Sequence, residues 1–204
     1  MNIIDQTFFS NPNYLYIPLA VNDPSGSVNN ASELSFLIDK VEKEVLLNSL
    51  GLTLYNELQL ALKDLENPLN AKFKKLVDGD EYNEKLWQGL AHEESLIACR
   101  VFELYNSHNA TRLSATGATV VNAENATNIT PMYLIANANQ SFIKQYQGNY
   151  LKEPIVTDNF TDWFGYQNEV EQSLYSYLID KLEDFTTFKP ENFKVYETIN
   201  TFGI

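Results

Sequence analysis

The sequence predicts a mainly α fold: a small helical bundle with a long β-prone arm between two helices and an extended C-terminal tail. Apolar residues recur at helical spacing through most of residues 32–106, which is the pattern of amphipathic helices. Residues 109–128 are instead small, almost uncharged and rich in Thr and Asn, and residues 185–204 alternate aromatic with polar side chains. With 204 residues, 44% of them hydrophobic, the chain can bury a core of its own.

Helix breakers and shifts in composition divide the chain into three predicted regions. Residues 1–31 form an extended N-terminal segment, because three prolines and a glycine interrupt any helix there, and residues 14–17 are its candidate edge strand. Residues 32–150 form the helical domain that carries the arm at 109–128. Residues 151–204 contribute an aromatic, turn-rich stretch, a last helix and the extended tail.

Local signals place the helices of the first half. The first helix begins near Asn30, which stands at capping-box spacing from Glu33, and Gly51 is its expected C-terminal cap. A second helix follows Gly51. Asn67-Pro68 then provides a cap and a proline at the first position of a short third helix.

Three further predicted helices complete the bundle. The longest helix follows a turn at residues 78–80, runs from about 86 to 106 and carries Trp87 on its first turn. Another helix opens at Thr130-Pro131 and ends at residue 148. The last begins near residue 168, and its inward face is expected to hold Val170, Leu174, Tyr177, Leu178 and Leu182.

The formal charge of −13 is unevenly distributed along the chain. Residues 34–108 carry a net −5 and residues 150–204 a net −6, whereas residues 109–149 carry +1. Such acidity argues against sequence-independent binding of nucleic acid, which needs clustered Lys and Arg. The arm lies in the one segment that acidic surfaces do not repel, unless small polar loops simply have few charges.

Motifs for catalysis, phosphate binding and metal binding are missing at their required spacing. His92-Glu93-Glu94 begins like a metalloprotease helix, but the second histidine would have to stand at the position of Leu96. Residues 78–80 fail the calcium-loop pattern, and neither a Gly-Lys-Ser/Thr loop nor a Gly-x-Ser-x-Gly elbow occurs. We therefore expect no enzyme activity, no cofactor and no metal.

Two groups of side chains leave an alternative open. Glu93, Glu94 and Glu103 would suit general acid–base chemistry, although a solvated helix face is the simpler interpretation. Arg100 could lower the pKa of the adjacent Cys99 thiol, although a lone helical cysteine is typically a small core residue. A single cysteine, no recognisable signal peptide and no long apolar run make the cytoplasm the expected compartment.

The arm and the tail are the candidate partner-binding segments. Residues 118–121 have strand character, so the arm can add a strand to a neighbour, and Gly117 would let it turn away from the bundle. The arm residues expected to contact a partner are Arg112, Thr116, Gly117, Thr119, Val120, Val121 and Asn122. The tail residues expected to do so are Phe188, Phe193, Tyr196 and Phe202, because so large an apolar area is unfavourable when it is exposed to water.

Three stretches, taken in order, resemble a known family. Residues 44–58 contain Leu-Gly-x-x-Leu-Tyr, residues 75–90 contain Gly-x-x-Tyr and Trp-x-Gly-Leu, and residues 114–125 contain Thr-Gly-x-x-Val. This order is similar to that of small helical proteins of tailed phages of gut bacteria, the crAss-like group among them, that act as head–tail connector or head-completion proteins. The resemblance covers roughly residues 33–150 and leaves the role of residues 151–204 open.

The resemblance implies a helical subunit that joins the portal to the tail as a ring, commonly a 12-mer, without catalysis. Its partners would be further copies of itself, the portal protein and other connector or tail proteins, and its location the virion, after assembly in the host cytoplasm. Twelve copies would carry a charge on the order of −150, so DNA would pass through the channel without specific binding. Copy number, position in the stack and orientation stay open.

Two other classes of function compete with the connector. An acidic DNA mimic or regulatory protein-binding module would act as a monomer or dimer, which a mass measurement distinguishes from a ring. A small hydrolase would need a pocket with convergent polar groups and shifted pKa values.

Overall fold

The computed structural model describes residues 2–11, 15–17, 30–114, 117–120, 131–148 and 170–196, with the backbone alone at 30–31, 109–114, 117–120 and 131–132. Five α-helices and two short hairpins follow one another in these residues. In chain order they are α1 (Asn30–Ala61), α2 (Ala71–Asp78), β1 (Asp80–Tyr82), β2 (Lys85–Trp87), α3 (Leu96–Ala110), β3 (Thr111–Ser114), β4 (Gly117–Val120), α4 (Pro131–Gln147) and α5 (Leu174–Asp180). The fold is mainly α, as the sequence predicts.

The predicted helix signals of the first half are confirmed. α1 begins at Asn30 and is interrupted at Gly51, where φ is 72° and ψ is 168°. Glycine adopts a positive φ readily, whereas a residue with a Cβ is strained there. Asn67 caps the turn before α2, because its side chain accepts a hydrogen bond from the backbone nitrogen of Leu69, and Pro68 follows it.

The segment between α2 and α3 is a hairpin, so the prediction of a long helix from residue 86 is wrong. β1 and β2 pair antiparallel, with Glu81 opposite Leu86. Asn83 (φ 48°) and Glu84 (φ 64°) connect them, and a type I′ turn needs a positive φ at both of its central positions. α3 begins only at Leu96.

Two glycines flank this hairpin and allow its ends to approach closely. Gly79 has a φ of 111° and Gly89 a φ of 93°. A Cβ on Gly89 would lie 2.5 Å from the carbonyl oxygen of Val77, and one on Gly79 would lie 2.9 Å from that of Trp87. The backbone therefore has no room for a side chain at either position. The two closely packed ends of the hairpin lie where the sequence predicted the first turns of a long helix.

Residues 170–172 extend the first hairpin instead of starting the last helix. The backbone nitrogen of Leu86 donates to Val170 (3.0 Å), and that of Gln172 donates back to Leu86 (2.9 Å). Ser173 then caps α5 by accepting a hydrogen bond from the backbone nitrogen of Ser176. The predicted start near residue 168 is wrong, as is the inward placement of Val170 and Leu182, which are exposed.

α3 and α4 form an antiparallel pair. Gln145, in the last turn of α4, donates to the carbonyl oxygen of Glu94 just before α3 (2.8 Å) and lies 3.0 Å from Nε2 of His92. α4 opens at Pro131 and ends before Gly148 (φ 80°), as predicted. Because the two helices have similar lengths, the start of α4 lies at the same end of the pair as the end of α3.

One hydrophobic core includes side chains from all three regions that the sequence predicts. From the N-terminal segment it takes Ile4, Phe9 and Ile17, and from the C-terminal region Leu174, Tyr177, Leu178, Phe185, Phe188 and Phe193. Residues 15–17, the described part of the candidate edge strand, form no strand; Ile17 donates its backbone N–H to Phe9 (3.0 Å) instead. Among the described helices, none is long and apolar enough to cross a membrane.

Candidate functional site

The arm begins as a hairpin that continues directly from α3. β3 and β4 pair antiparallel, from Thr111 opposite Val120 to Ser114 opposite Gly117. The predicted strand character of residues 118–121 is therefore confirmed at residues 118–120, and Val121 lies outside the described residues. Of the predicted contact residues, Arg112, Gly117, Thr119 and Val120 lie in these strands, whereas Thr116, Val121 and Asn122 lie outside the described residues.

The register of this hairpin determines which backbone groups face outward. Two residues separate Ser114 from Gly117, so these two form the closing, hydrogen-bonded pair, and hydrogen-bonded and open pairs alternate from there. Leu113 and Ala118 form an open pair, and their N–H and C=O groups point away from the partner strand. Each strand therefore offers main-chain donors and acceptors on an edge that no other described strand covers.

Apolar side chains are exposed at the corresponding end of the α3–α4 pair. Tyr133 and Leu134, in the first turn of α4, are 60% and 44% exposed. The antiparallel α3–α4 pair brings this turn to the end of α3 from which the hairpin continues. The combined surface of hairpin edges, Tyr133 and Leu134 is called the tip below.

The aromatic tail has a different place from the predicted one. Phe188 and Phe193 are only 4% and 8% exposed and belong to the core of their own chain, so they are not the uncovered aromatic side chains that the sequence led us to expect, and their contact with a partner stays a prediction. Tyr196 is partly buried and packs against the same core. Phe202 lies outside the described residues. Periodicity gave no signal for this packing, because residues 185–196 contain only turns and a short 3-10 helix.

Residues 193–196, called the strap below, are held by side chains that sequence reasoning missed. The Gln147 amide donates to the carbonyl oxygen of Tyr196 (2.9 Å) and accepts from its backbone nitrogen (2.8 Å). The side chain of Asn48 in α1 donates to the Tyr196 hydroxyl (2.7 Å), and the backbone carbonyl of Asn48 accepts the backbone N–H of Lys194 (3.0 Å). Isolated Asn and Gln residues in helices carry no sequence pattern that would reveal such a role.

A second polar network fastens the β1–β2 hairpin to α5. The buried Asp80 carboxylate lies 3.2 Å from Lys75 Nζ and 3.3 Å from Lys181 Nζ. Asp180 in turn binds Lys85 at 2.5 Å and accepts from Gln172 at 3.0 Å. Both carboxylates are paired with ammonium groups, which is the arrangement of a structural ion network.

The acidic and cysteine candidates do not combine into a reactive centre. Glu93 and Glu94 are exposed before α3, whereas Glu103 is buried and binds Arg100 through both oxygens (2.8 and 2.7 Å). Arg100 is therefore engaged by Glu103, and burial, with smaller contributions from Glu94 and Glu103, raises the pKa of Cys99 to about 12. The alternative of a thiol activated by Arg100 is wrong. The expected solvated acidic helix face holds for the exposure of Glu93 and Glu94, which precede α3, and is wrong for the buried Glu103.

A buried carboxylate also holds the N-terminal segment. Glu42 of α1 accepts hydrogen bonds from the backbone nitrogens of Ile3 (2.9 and 3.0 Å) and Ile4 (3.3 Å). Burial raises the pKa of Glu42 to about 7, against the lowering effect of these bonds. An open groove of about 530 Å³ lies beside it, lined by Asn2, Ile4, Asp5, Gln6, Thr7, Ser35 and Ile38.

The described residues contain no group of three or more His, Cys, Asp or Glu side chains arranged to hold a metal ion. His92 has a lowered pKa, because burial disfavours its charged form, and contacts Gln145. Comparison with protein-family models, with curated proteins and with solved structures finds no match for this chain. The tip and the strap are thus the features from which function has to be argued.

Proposed function

We propose that the protein is a structural subunit of a ring that joins the portal to the tail of a tailed phage, the role that its motif order in residues 33–150 resembles. The observation that carries the proposal is the β3–β4 hairpin, whose outer edges no other described strand covers. A neighbouring copy can pair with such an edge through main-chain hydrogen bonds. In a cyclic assembly one heterologous contact, repeated with the right rotation, closes the ring.

The exposed apolar side chains of the tip support the same role. An isolated two-stranded hairpin is at best marginally stable in water, so contact with another surface would stabilise it. Tyr133 and Leu134 provide apolar area beside it that a neighbouring subunit would cover. The proposed role is structural and needs no catalytic group.

Charge supports the choice of partner. The tip belongs to the segment of net charge +1, whereas the rest of the chain is acidic. Contact between the tip and an acidic face of the next copy is electrostatically favourable, and a head-to-tail contact brings these two surfaces together. The remaining acidic surface suits a channel through which DNA passes without binding.

The first experiment measures the mass of the purified chain, alone and mixed with the portal protein, by light scattering. A ring gives a mass several times that of the chain, in one or both samples. A chain that stays a monomer or dimer in both contradicts the proposal and favours the acidic DNA-mimic or regulatory alternative.

Matched substitutions in β4 test whether the edge of the hairpin forms the contact between subunits. Ala118→Pro removes an outward N–H and leaves the bonds between β3 and β4 in place, because proline is tolerated where the N–H faces away from the ladder. Ala118→Val keeps that N–H and serves as the control. Leu113→Pro tests the β3 edge in the same way. Assembly that survives both proline variants would remove the observation on which the proposal rests.

A further inference from the structure

The strap occupies a groove that has the properties of a binding site for an extended peptide. The groove is formed by Asn48 of α1, Arg100 of α3, and Phe142, Tyr146 and Gln147 of α4. Gln147 satisfies both the N–H and the C=O of Tyr196, which is how a side-chain amide recognises an extended backbone. The strap thus binds by its main chain as well as by its side chains.

Aromatic contacts give this groove a preference for particular side chains. The Phe193 ring lies 4.6 Å from that of Tyr146, and the Tyr196 ring lies 5.0 Å from those of both Phe142 and Tyr146. The Arg100 guanidinium lies 5.4 Å from the centre of the Tyr196 ring. The groove therefore selects two aromatic side chains three residues apart, and the strap provides them.

The connection between the core and the strap is short and exposed. Phe188 and Phe193 are buried, whereas Lys189, Glu191 and Asn192 between them are exposed, and Pro190–Asn192 form a three-residue 3-10 turn. A change of direction in this turn would carry the strap away from its own groove without disturbing Phe188. Exchange of an identical element between copies costs little, because the same contacts form in both arrangements.

We propose that in the assembled protein the strap of one copy binds in the groove of the next copy. This inference rests on the proposed function in one respect, since a ring holds a second groove close to each strap. In an isolated chain the tethered strap has a high effective concentration and stays in its own groove. In a ring the neighbouring strap reaches a comparable local concentration, and exchange links the subunits in series.

Disulfide trapping between two different full-length chains tests the exchange. One chain carries Asn48→Cys and the other Lys194→Cys, because the backbone oxygen and nitrogen of these two residues are 3.0 Å apart. After mixing, co-refolding from urea at high protein concentration and mild oxidation, a covalent dimer forms only when the strap of one chain lies in the groove of the other. The parent chain contributes only buried Cys99.

Three controls make the result decisive. Asn56→Cys, on the exposed surface of α1, replaces Asn48→Cys as the mismatched partner. A single chain with both Asn48→Cys and Lys194→Cys reports that the pair can link within one molecule. Adding Gln147→Ala removes both bonds to Tyr196; because the same two bonds hold the strap in its own groove and in that of the next copy, it should lower the link within the double-cysteine chain and the link between chains to the same extent.

Covalent dimer above the mismatched control, in the co-refolded sample or in the sample assembled with portal protein, supports the exchange. Dimer yields equal to that control in both samples, with efficient linking inside the double-cysteine chain, overturn it. Rings without interchain links would leave the proposed function intact and refute the exchange. Linked dimers without rings would support the exchange and contradict the proposed function.

A peptide measurement decides the matter if the cysteine chains fold poorly. A labelled peptide of residues 188–196 is titrated against full-length protein carrying Tyr196→Ala, whose own strap is weakened, and against the unchanged protein. Fluorescence anisotropy should show tighter binding to the Tyr196→Ala protein and none for a peptide lacking both Phe193 and Tyr196. Equal affinity for both proteins, or no binding to either, would overturn the inference.

Discussion

The indole ring of Trp87 stacks on the phenol ring of Tyr177, with ring centres 5.4 Å apart and planes inclined by 20°. Trp87 also donates from Nε1 to the carbonyl oxygen of Leu76 (2.9 Å). One side chain of β2 thus contacts both α2 and α5, which lie about 100 residues apart in the sequence. The pair explains why the first hairpin and the C-terminal helix share one core.

Replacing Trp87 with Ala should lower the free energy of unfolding by about 3–5 kcal/mol, because truncation of a buried aromatic side chain leaves a cavity. Urea unfolding followed by circular dichroism measures this change. Phe36→Ala, at a side chain that is 70% exposed, is the control and should change stability by no more than about 0.5 kcal/mol. Equal effects of the two substitutions would contradict the packing.

Replacing Tyr146 with Phe should leave the protein as stable as before, or more stable by about 1 kcal/mol. The Tyr146 hydroxyl is buried and has no hydrogen-bond partner, so removing it abolishes a desolvation cost and keeps the aromatic contacts. Tyr177→Phe is the matched control, because its hydroxyl donates to Asp80 at 3.4 Å and its loss should destabilise. A Tyr146→Phe protein less stable than Tyr177→Phe would show that the hydroxyl has a partner in solution.

Stability should fall as the pH rises from about 4.5 to about 7, through the titration of Glu42. Burial raises the pKa of Glu42 from 4.5 to about 7, so the folded protein binds this proton more tightly than the unfolded chain. The contribution is therefore complete below pH 4.5 and is lost as the pH rises through 7. Hydrogen bonds from Ile3 and Ile4 and the N-terminal ammonium oppose the shift, and Asp39 adds to it.

Glu42→Gln tests this assignment, because glutamine keeps an acceptor oxygen and does not titrate. Melting temperatures across this pH range should vary less in Glu42→Gln than in the unchanged protein. Glu44→Gln, at an exposed position of the same helix, is the control and should keep the original dependence. A Glu42→Gln curve parallel to that of the unchanged protein would assign the titration to another group.

Cys99 should resist thiol reagents in the folded protein at pH 8. The side chain is buried, so a reagent reaches the sulfur poorly. Its pKa is raised to about 12, so only a small fraction of it is the reactive thiolate at pH 8. Labelling with a chromogenic disulfide should be slow in buffer and rapid in urea, where the thiol is solvated. Fast labelling of the folded chain would mean that α3 opens locally.

The sequence by itself determined those elements that depend on neighbours within a few residues. Gly51 and Pro131 mark helix boundaries because a positive φ and a missing N–H act locally. The strand character of residues 117–120 follows in the same way from small and β-branched side chains. For this reason the mainly α fold and the strand character of the hairpin in the tip could be predicted from the sequence.

The tertiary structure alone decided where the hairpin at 80–87 and the aromatic tail lie. Leu86 and Leu90 fit a helical period, but Leu86 exchanges backbone hydrogen bonds with residues 170 and 172, and no local pattern encodes a partner so distant. The same holds for Phe193 and Tyr196, whose groove is assembled from three separate helices. Hydrophobicity indicates that a side chain must be covered, whereas only the packing of distant segments decides which surface covers it.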